Sequence, residues 1–181
     1  MKKEYETERL LLVVSNPDLA GPVADYLTRN RQDFECYDRQ YGDITYTALY
    51  QENALQVEKD LFESDAGVRY YLLKKEDPHT VIGNVSFAYL HSSERNPSLG
   101  YKIDKMYRRQ GYAYEAVSFL MPLAIKYYNL PFLEADVLPE NEASISLLEK
   151  LGFGFDGIKP DAHEIHGVMR DHYRYVFDPY S

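Results

Sequence analysis

Between residues 113 and 128, Ala113, Ala116, Val117, Leu120, Met121, Ala124, Ile125 and Tyr128 alternate three and four apart, the signature of one helix face packed on a sheet. That helix needs a sheet beneath it. Short strands flank it at 98–103 and 132–138. Pro122 falls inside the run, and proline removes a helical hydrogen bond, so a kink or a loosened second half is expected. A second core helix is predicted over 141–151, with Ser144, Leu147, Leu148 and Leu151 on one face. Gly152 is placed to end it in a left-handed cap, with Phe153 folding back on the last turn.

Upstream, residues 9–14 form a near-continuous Leu/Val run of the kind buried on both faces of a sheet. Asn16 can cap a following helix and Pro17 fits its first position, after which Leu19, Val23, Tyr26 and Leu27 recur at helical spacing. Residues 29–42 are polar and aperiodic and read as a long loop or broken helix. A surface helix is expected over 46–64, with a thin apolar face of Leu49, Leu55, Leu61 and Phe62. Residues 68–73 and 80–90, either side of the turn-like 76–79, read as an antiparallel hairpin. At least one more strand lies at 173–177. The order of elements predicts an α/β chain, a single domain over 1–181, with one mixed sheet covered on both faces.

Composition narrows the function. A net charge of −9, with no long Lys/Arg stripe, argues against nucleic acid and for tolerance of a cationic partner such as an amine. No apolar run is long enough for a bilayer, and residues 1–8 lack a secretion signal, so no membrane association and a cytoplasmic location are expected. The single cysteine, Cys36, has no partner for a disulfide and is expected to serve packing. No metal site is expected, because His163-x-x-His166 lacks the spacing of a helical zinc motif. His163, His166 and His172 are given no role.

Chemistry concentrates at Arg108-Arg109-Gln110-Gly111-Tyr112-Ala113, between the 98–103 strand and the long helix. A helix start presents unpaired N–H groups and the positive end of the helix dipole, a natural seat for a pyrophosphate. Gly111 and Ala113 leave room for it, and Arg108, Arg109, Lys102 and Lys105 add charge nearby. No nucleotide-hydrolysing P-loop motif is present. Gly152-Phe153-Gly154-Phe155-Asp156-Gly157 has the letters of a dinucleotide fingerprint, but it closes a helix and leads to a strand, the reverse of what that site needs.

The segment 138–153, reading Asn141-x-x-Ser144-x-x-Leu147-x-x-x-x-Gly152-Phe153, joins Leu99-Gly100-Tyr101 and the 108–113 turn in a set that resembles the GNAT acetyltransferase superfamily. Thr7-Glu8-Arg9-Leu10 and Gly167-Val168-Met169-Arg170-Asp171-His172 resemble its ribosomal-protein branch. The resemblance implies a mostly antiparallel sheet in which the parallel strands at 98–103 and 132–138 splay apart around acetyl-coenzyme A. It implies that Arg109, Gly111, Tyr112 and Ala113 hold the pyrophosphate by their backbone, with Arg108 beside them. Asn141 would contact the pantetheine or cap its helix, and backbone N–H groups between Gly100 and Ile103, taking in Tyr101 and Ile103, would bind the donor and polarise its thioester.

Two departures bear on catalysis. Leu148 stands where many members have a proton-donating tyrosine, which leaves Ser144 either as the substitute acid or as a helix-start hydrogen-bonding residue. Ser98 stands where many have an acidic residue. Glu134 and Asp136, on one face of the 132–138 strand, are then base candidates or solvated charges. The base need not be strong, since an N-terminal amine with a pKa of about 8 is partly neutral near pH 7. Phe34 and Tyr37 occupy the stretch where relatives line the acceptor pocket. The expected acceptor is a protein N-terminal amine or a small amine, the alternative being a non-catalytic acyl-CoA-binding module. A monomer or homodimer is expected.

Overall fold

A computed structural model describes residues 1–180. Eight strands form one sheet in the order β1-β2-β3-β4-β5-β6-β8-β7. They are β1 Glu4–Glu6, β2 Leu10–Val14, β3 Val68–Lys74, β4 Asp77–Ala88, β5 Ser98–Ile103, β6 Leu133–Val137, β7 Gly154–Ile165 and β8 Val168–Phe177. The β5–β6 pair is parallel, whereas the other neighbouring pairs run antiparallel. Four helices cover the sheet: α1 Ala20–Glu35, α2 Ala48–Glu63, α3 Tyr112–Tyr128 and α4 Glu142–Lys150. Among the described residues no helix is long and apolar enough to cross a membrane.

The apolar run of β2 is explained by two cores. Leu10, Leu12 and Val14 alternate into the larger one beneath α3 and α4, while Leu11 and Val13 pack on the smaller one with Val23, Tyr26 and Leu55 of α1 and α2. On α2, Leu55 is buried while Leu49 and Leu61 face solvent, as a surface helix requires.

Two expectations need correction, and two further features take their form from packing. Residues 29–35 are the last two turns of α1 rather than a loop. They lack an apolar period because they meet a polar connection: Asn30 is buried, its side-chain oxygen accepting the Lys105 N–H at 2.9 Å, and Arg29 pairs with buried Asp104. Pro122 lies inside α3, which stays helical on both sides of it to Tyr128. Leu120, Met121 and Ala124 are all buried, so packing on both sides of the proline offsets a cost of about 3 kcal/mol. Cys36 is exposed rather than packed, lying at the end of α1 with its thiol donating to the Gln32 carbonyl at 3.1 Å. Strands β1 and β7 carry no apolar alternation, being polar outer strands of the sheet.

Helix α4 ends as its sequence predicts. Gly152 is left-handed at φ +91°, the Phe153 N–H reaches the Leu148 carbonyl at 3.0 Å, and the Gly152 N–H reaches Glu149 at 3.0 Å.

Candidate active site

Strands β5 and β6 meet only at their start. Ser98 faces Glu134, and the Glu134 N–H donates to the Pro97 carbonyl at 2.9 Å. Beyond that bridge the two strands part. On its other side β5 is paired with β4 along its length, and the Asp104 N–H donates to Ile82 at 2.9 Å. Antiparallel ladders alternate, so Gly100 and Lys102 also turn their N–H groups to β4, while Tyr101 and Ile103 turn theirs into the gap. The gap opens into a cavity of about 1120 Å³, walled by β5, the start of α3, Ala135–Leu138 and α4.

At the wide end of the gap lies the basic turn. Arg109 and Gly111 are both left-handed, at φ +59° and +84°, which tips the chain into α3. The N–H groups of Gly111, Tyr112, Ala113 and Tyr114 find no hydrogen-bond partner among the described residues. Together with the α3 dipole they form an anion seat on the cavity wall. Arg108 is steered by the Ile103 carbonyl at 3.2 Å and by Asp33 at 3.6 Å.

The turn is held from behind by residues whose purpose the sequence alone does not show. Arg9 pairs with Glu115 at 2.7 Å, donates to the Gln110 carbonyl at 2.9 Å and stacks on the Tyr112 ring. Glu115 also accepts from Thr7 Oγ1 and the Arg9 N–H. Burial opposes its ionised form, but these donors prevail and hold its pKa below the usual range.

On the α3–α4 side of the gap, the Tyr101 and Ser144 hydroxyls lie 2.7 Å apart. Asn141 caps α4 by accepting the Ser144 N–H at 3.2 Å, so of its two readings the capping one is realised, with its side chain also on the cavity wall. Ser144 is therefore capped rather than capping. Burial pushes the Tyr101 phenol up to about 12, against a smaller pull from Ser144. Leu148 is buried and offers no proton.

The opposite side is polar. Ala135, Val137 and Tyr175 point into the larger core, so Glu134, Asp136, His172 and Arg174 face the other way. Glu134 is buried and bound by Arg174, Asn96 and Lys159, the last at 3.1 Å. Asp136 Oδ2 meets Lys159 at 2.9 Å and His163 at 3.4 Å, while its buried Oδ1 has no partner. Burial opposes ionisation of both carboxyls, yet the surrounding donors lower both pKa values. His172, which sequence reasoning left without a role, is buried on the wall of the same cavity. The signal was its alternation with Tyr173 and Tyr175. Phe34 and Tyr37 stand on this side too, with Lys102 between them and Asp38 at 2.5 Å. A second cavity of about 690 Å³, under residues 94–96 and lined by Lys159 and His163, shares Leu99 and Asp136 with the first. Among the described residues no group of three His, Cys, Asp or Glu could hold a metal ion.

Residues 9–154 match the acetyltransferase (GNAT) domain model. The chain belongs to the GNAT acetyltransferase family. It is 30% identical over 146 residues to the Probable N-acetyltransferase YjcK of Bacillus subtilis, covering 80% of each chain. It is 25% identical over 173 residues to the [Ribosomal protein uS5]-alanine N-acetyltransferase of Escherichia coli, covering 94% of this chain and 88% of that one. Its fold is that of the Vibrio fischeri ribosomal-protein-S5-alanine acetyltransferase, at a TM-score of 0.90 and 23% identity over 98% and 97% of the two chains. Other solved chains of this fold are in complex with coenzyme A or acetyl-CoA. As a GNAT N-acetyltransferase, the chain is an enzyme of acetyl transfer, and its parallel β5–β6 pair is the one the resemblance implies.

Proposed function

We propose that this enzyme moves acetyl from acetyl-CoA to the N-terminal amine of a protein, a ribosomal protein being the acceptor that its relatives suggest. The observation that carries this reading is the β5–β6 gap, with the N–H groups of Tyr101 and Ile103 turned into it and an anion seat at its wide end. A pantetheine arm needs amide partners along its length and a pyrophosphate needs unpaired donors at its end. The residues present fit both needs.

Acetyl-CoA supplies an activated acetyl thioester. Gly111, Tyr112 and Ala113 hold the pyrophosphate through their N–H groups, with Arg108 and Arg109 adding charge. Tyr101 and Ile103 offer main-chain donors to the arm and its carbonyl. Ser144 donates the proton that the departing sulfur takes up, and the Tyr101 hydroxyl orients it at 2.7 Å. With both oxygens of Glu134 and one of Asp136 engaged by cations, we assign this pair to holding the acceptor-side wall in place rather than to taking the acceptor's proton. Phe34 and Tyr37 wall the approach.

A protein acceptor is favoured over a small amine because a second cavity adjoins the first, with Asp136 and Leu99 on the wall of both, which offers room for the residues that follow an N-terminus. A ribosomal acceptor would make the cytoplasm the site of reaction. Release of free thiol from acetyl-CoA, measured against Ala-, Ser- and Met-initiated peptides and a set of small amines, tests the assignment. Peptides are expected to be the better acceptors. Turnover of small amines alone would overturn the protein reading, and tight acetyl-CoA binding without turnover would leave a binding module.

A further inference from the structure

The proposed chemistry assigns an acid but no base, and the carboxylates nearest the gap are held by cations. One group on the acceptor side is buried, borders the gap and is unused: His172 of β8.

Its ring is oriented by its own strand. Nδ1 lies 3.0 Å from the Arg170 carbonyl. A carbonyl oxygen can only accept, so Nδ1 carries the hydrogen and Nε2 keeps the lone pair. Among the described residues Nε2 has no hydrogen-bond partner. The ring packs edge-on against His163, at 4.8 Å between centroids.

Position completes the case. Ser144 and Tyr101 stand on the α3–α4 side of the splayed strands, whereas His172 stands on the opposite side with Asp136, Phe34 and Tyr37. Direct displacement at a thioester places the incoming amine and the outgoing sulfur on different groups, and here a proton acceptor and a proton donor face each other across one gap. We propose that His172 is the general base of the reaction, its Nε2 taking the proton that the acceptor amine sheds. The nitrogen–carbon bond to the acetyl group forms and the carbon–sulfur bond breaks. The electron pair leaves with sulfur, which takes a proton from the Ser144 side, and His172 later returns its proton to water. This rests on the acetyl-transfer reading given above.

The surroundings suit the task. Burial lowers the His172 pKa from 6.5, so the imidazole is neutral near pH 7 and able to accept. The groups facing it are His163 and Lys159 on β7, Asp136 on β6, Arg170 on β8 and Glu140 before α4. Asp136 supports the imidazolium once it forms, whereas His163 and Arg170 oppose it. The balance favours a base that lets its proton go.

Two measurements decide the proposal. Nitrogen-15 imidazole spectra of the wild-type enzyme at pH 7.5, assigned by comparison with H172Q, should show hydrogen on Nδ1 and a lone pair on Nε2. Hydrogen on Nε2 would overturn it without any acceptor being known. With an Ala-initiated hexapeptide, log kcat/KM of the wild type should rise with slope two at low pH, since amine and imidazole must each lose a proton. In H172Q the slope should fall to one and kcat should drop about a hundredfold or more, with the Kd for acetyl-CoA unchanged. H163Q should keep slope two. An H172Q enzyme within threefold of wild type, or one that retains slope two, would overturn the proposal alone. If the wild type released no thiol with either peptides or small amines, the transfer reading would itself fall, and the base with it.

Discussion

The Arg9 guanidinium lies 2.7 Å from the Glu115 carboxylate, tying the first residue of the matched domain to the first turn of α3. The contact holds the turn that carries the anion seat, because Arg9 also grips the Gln110 carbonyl inside it.

Removing Glu115 should therefore do more harm than removing Arg9. E115A strips a carboxylate that accepts from Thr7 and twice from Arg9, and should cost about 1–3 kcal/mol in urea unfolding. R9A should cost less, its side chain being 41% exposed. In both, the Kd for acetyl-CoA should rise several-fold.

The same pair predicts a pH dependence of stability. The folded pKa of Glu115 lies below its usual 4.5. Its contribution is thus complete above pH 4.5 and is lost as pH falls through the lower folded value. Urea midpoints of wild type and E115Q should converge as pH drops below about 4, whereas a constant separation would deny the carboxylate this role.

G111E tests the anion seat. The glycine φ of +84° strains any side chain, and a Cβ there would already stand 3.3 Å from Arg9. A carboxylate so placed should weaken acetyl-CoA about a hundredfold, a loss of about 2.8 kcal/mol. Unchanged affinity by calorimetry would show that the seat is misplaced.

Ser144 and Tyr101 should separate chemistry from binding. S144A is expected to lower kcat about tenfold to a hundredfold with little change in the Kd for acetyl-CoA, and Y101F should fall between it and wild type. N141A loses a helix cap and should cost about 1 kcal/mol in stability. Equal losses of binding in all three would point to packing instead.

Glu134 should prove structural before it proves kinetic. Truncation to alanine removes the carboxylate that Arg174 and Lys159 share, leaving them Asp156 and Asp136 as partners, and should cost about 1–3 kcal/mol in urea unfolding. D136N should be milder, since one Asp136 oxygen has no partner to lose.

Much of this architecture is legible in the chain. Strand β5 occupies the bounds expected of it, and the Gly152 cap follows from a glycine placed after an apolar helical face. The glycine and arginines between a strand and a helix start mark the proposed anion seat only in company with the 141–153 segment, because a basic loop before a helix is by itself common. Other features escape because their signal depends on neighbours distant in sequence. Asn30 and Arg29 look like loop residues until Lys105 and Asp104 are placed against them. Strand β1 is three residues long with only Tyr5 on the core, and β7 is exposed along most of its length, so neither imprints a period. His172 is one of three histidines in a polar stretch until β8 pairs with β6 and turns it toward the gap. Likewise the capping of Asn141 depends on a hydrogen bond that the motif allows but does not dictate.

The most direct measurement of the account is amide hydrogen exchange along β5. In the free enzyme Gly100 and Lys102, paired with β4, should exchange slowly, while Tyr101 and Ile103, turned into the gap, should exchange fast. Saturating acetyl-CoA should slow Tyr101 and Ile103 selectively. If both continue to exchange at their free rates while acetyl-CoA is bound, the donor does not lie between β5 and β6.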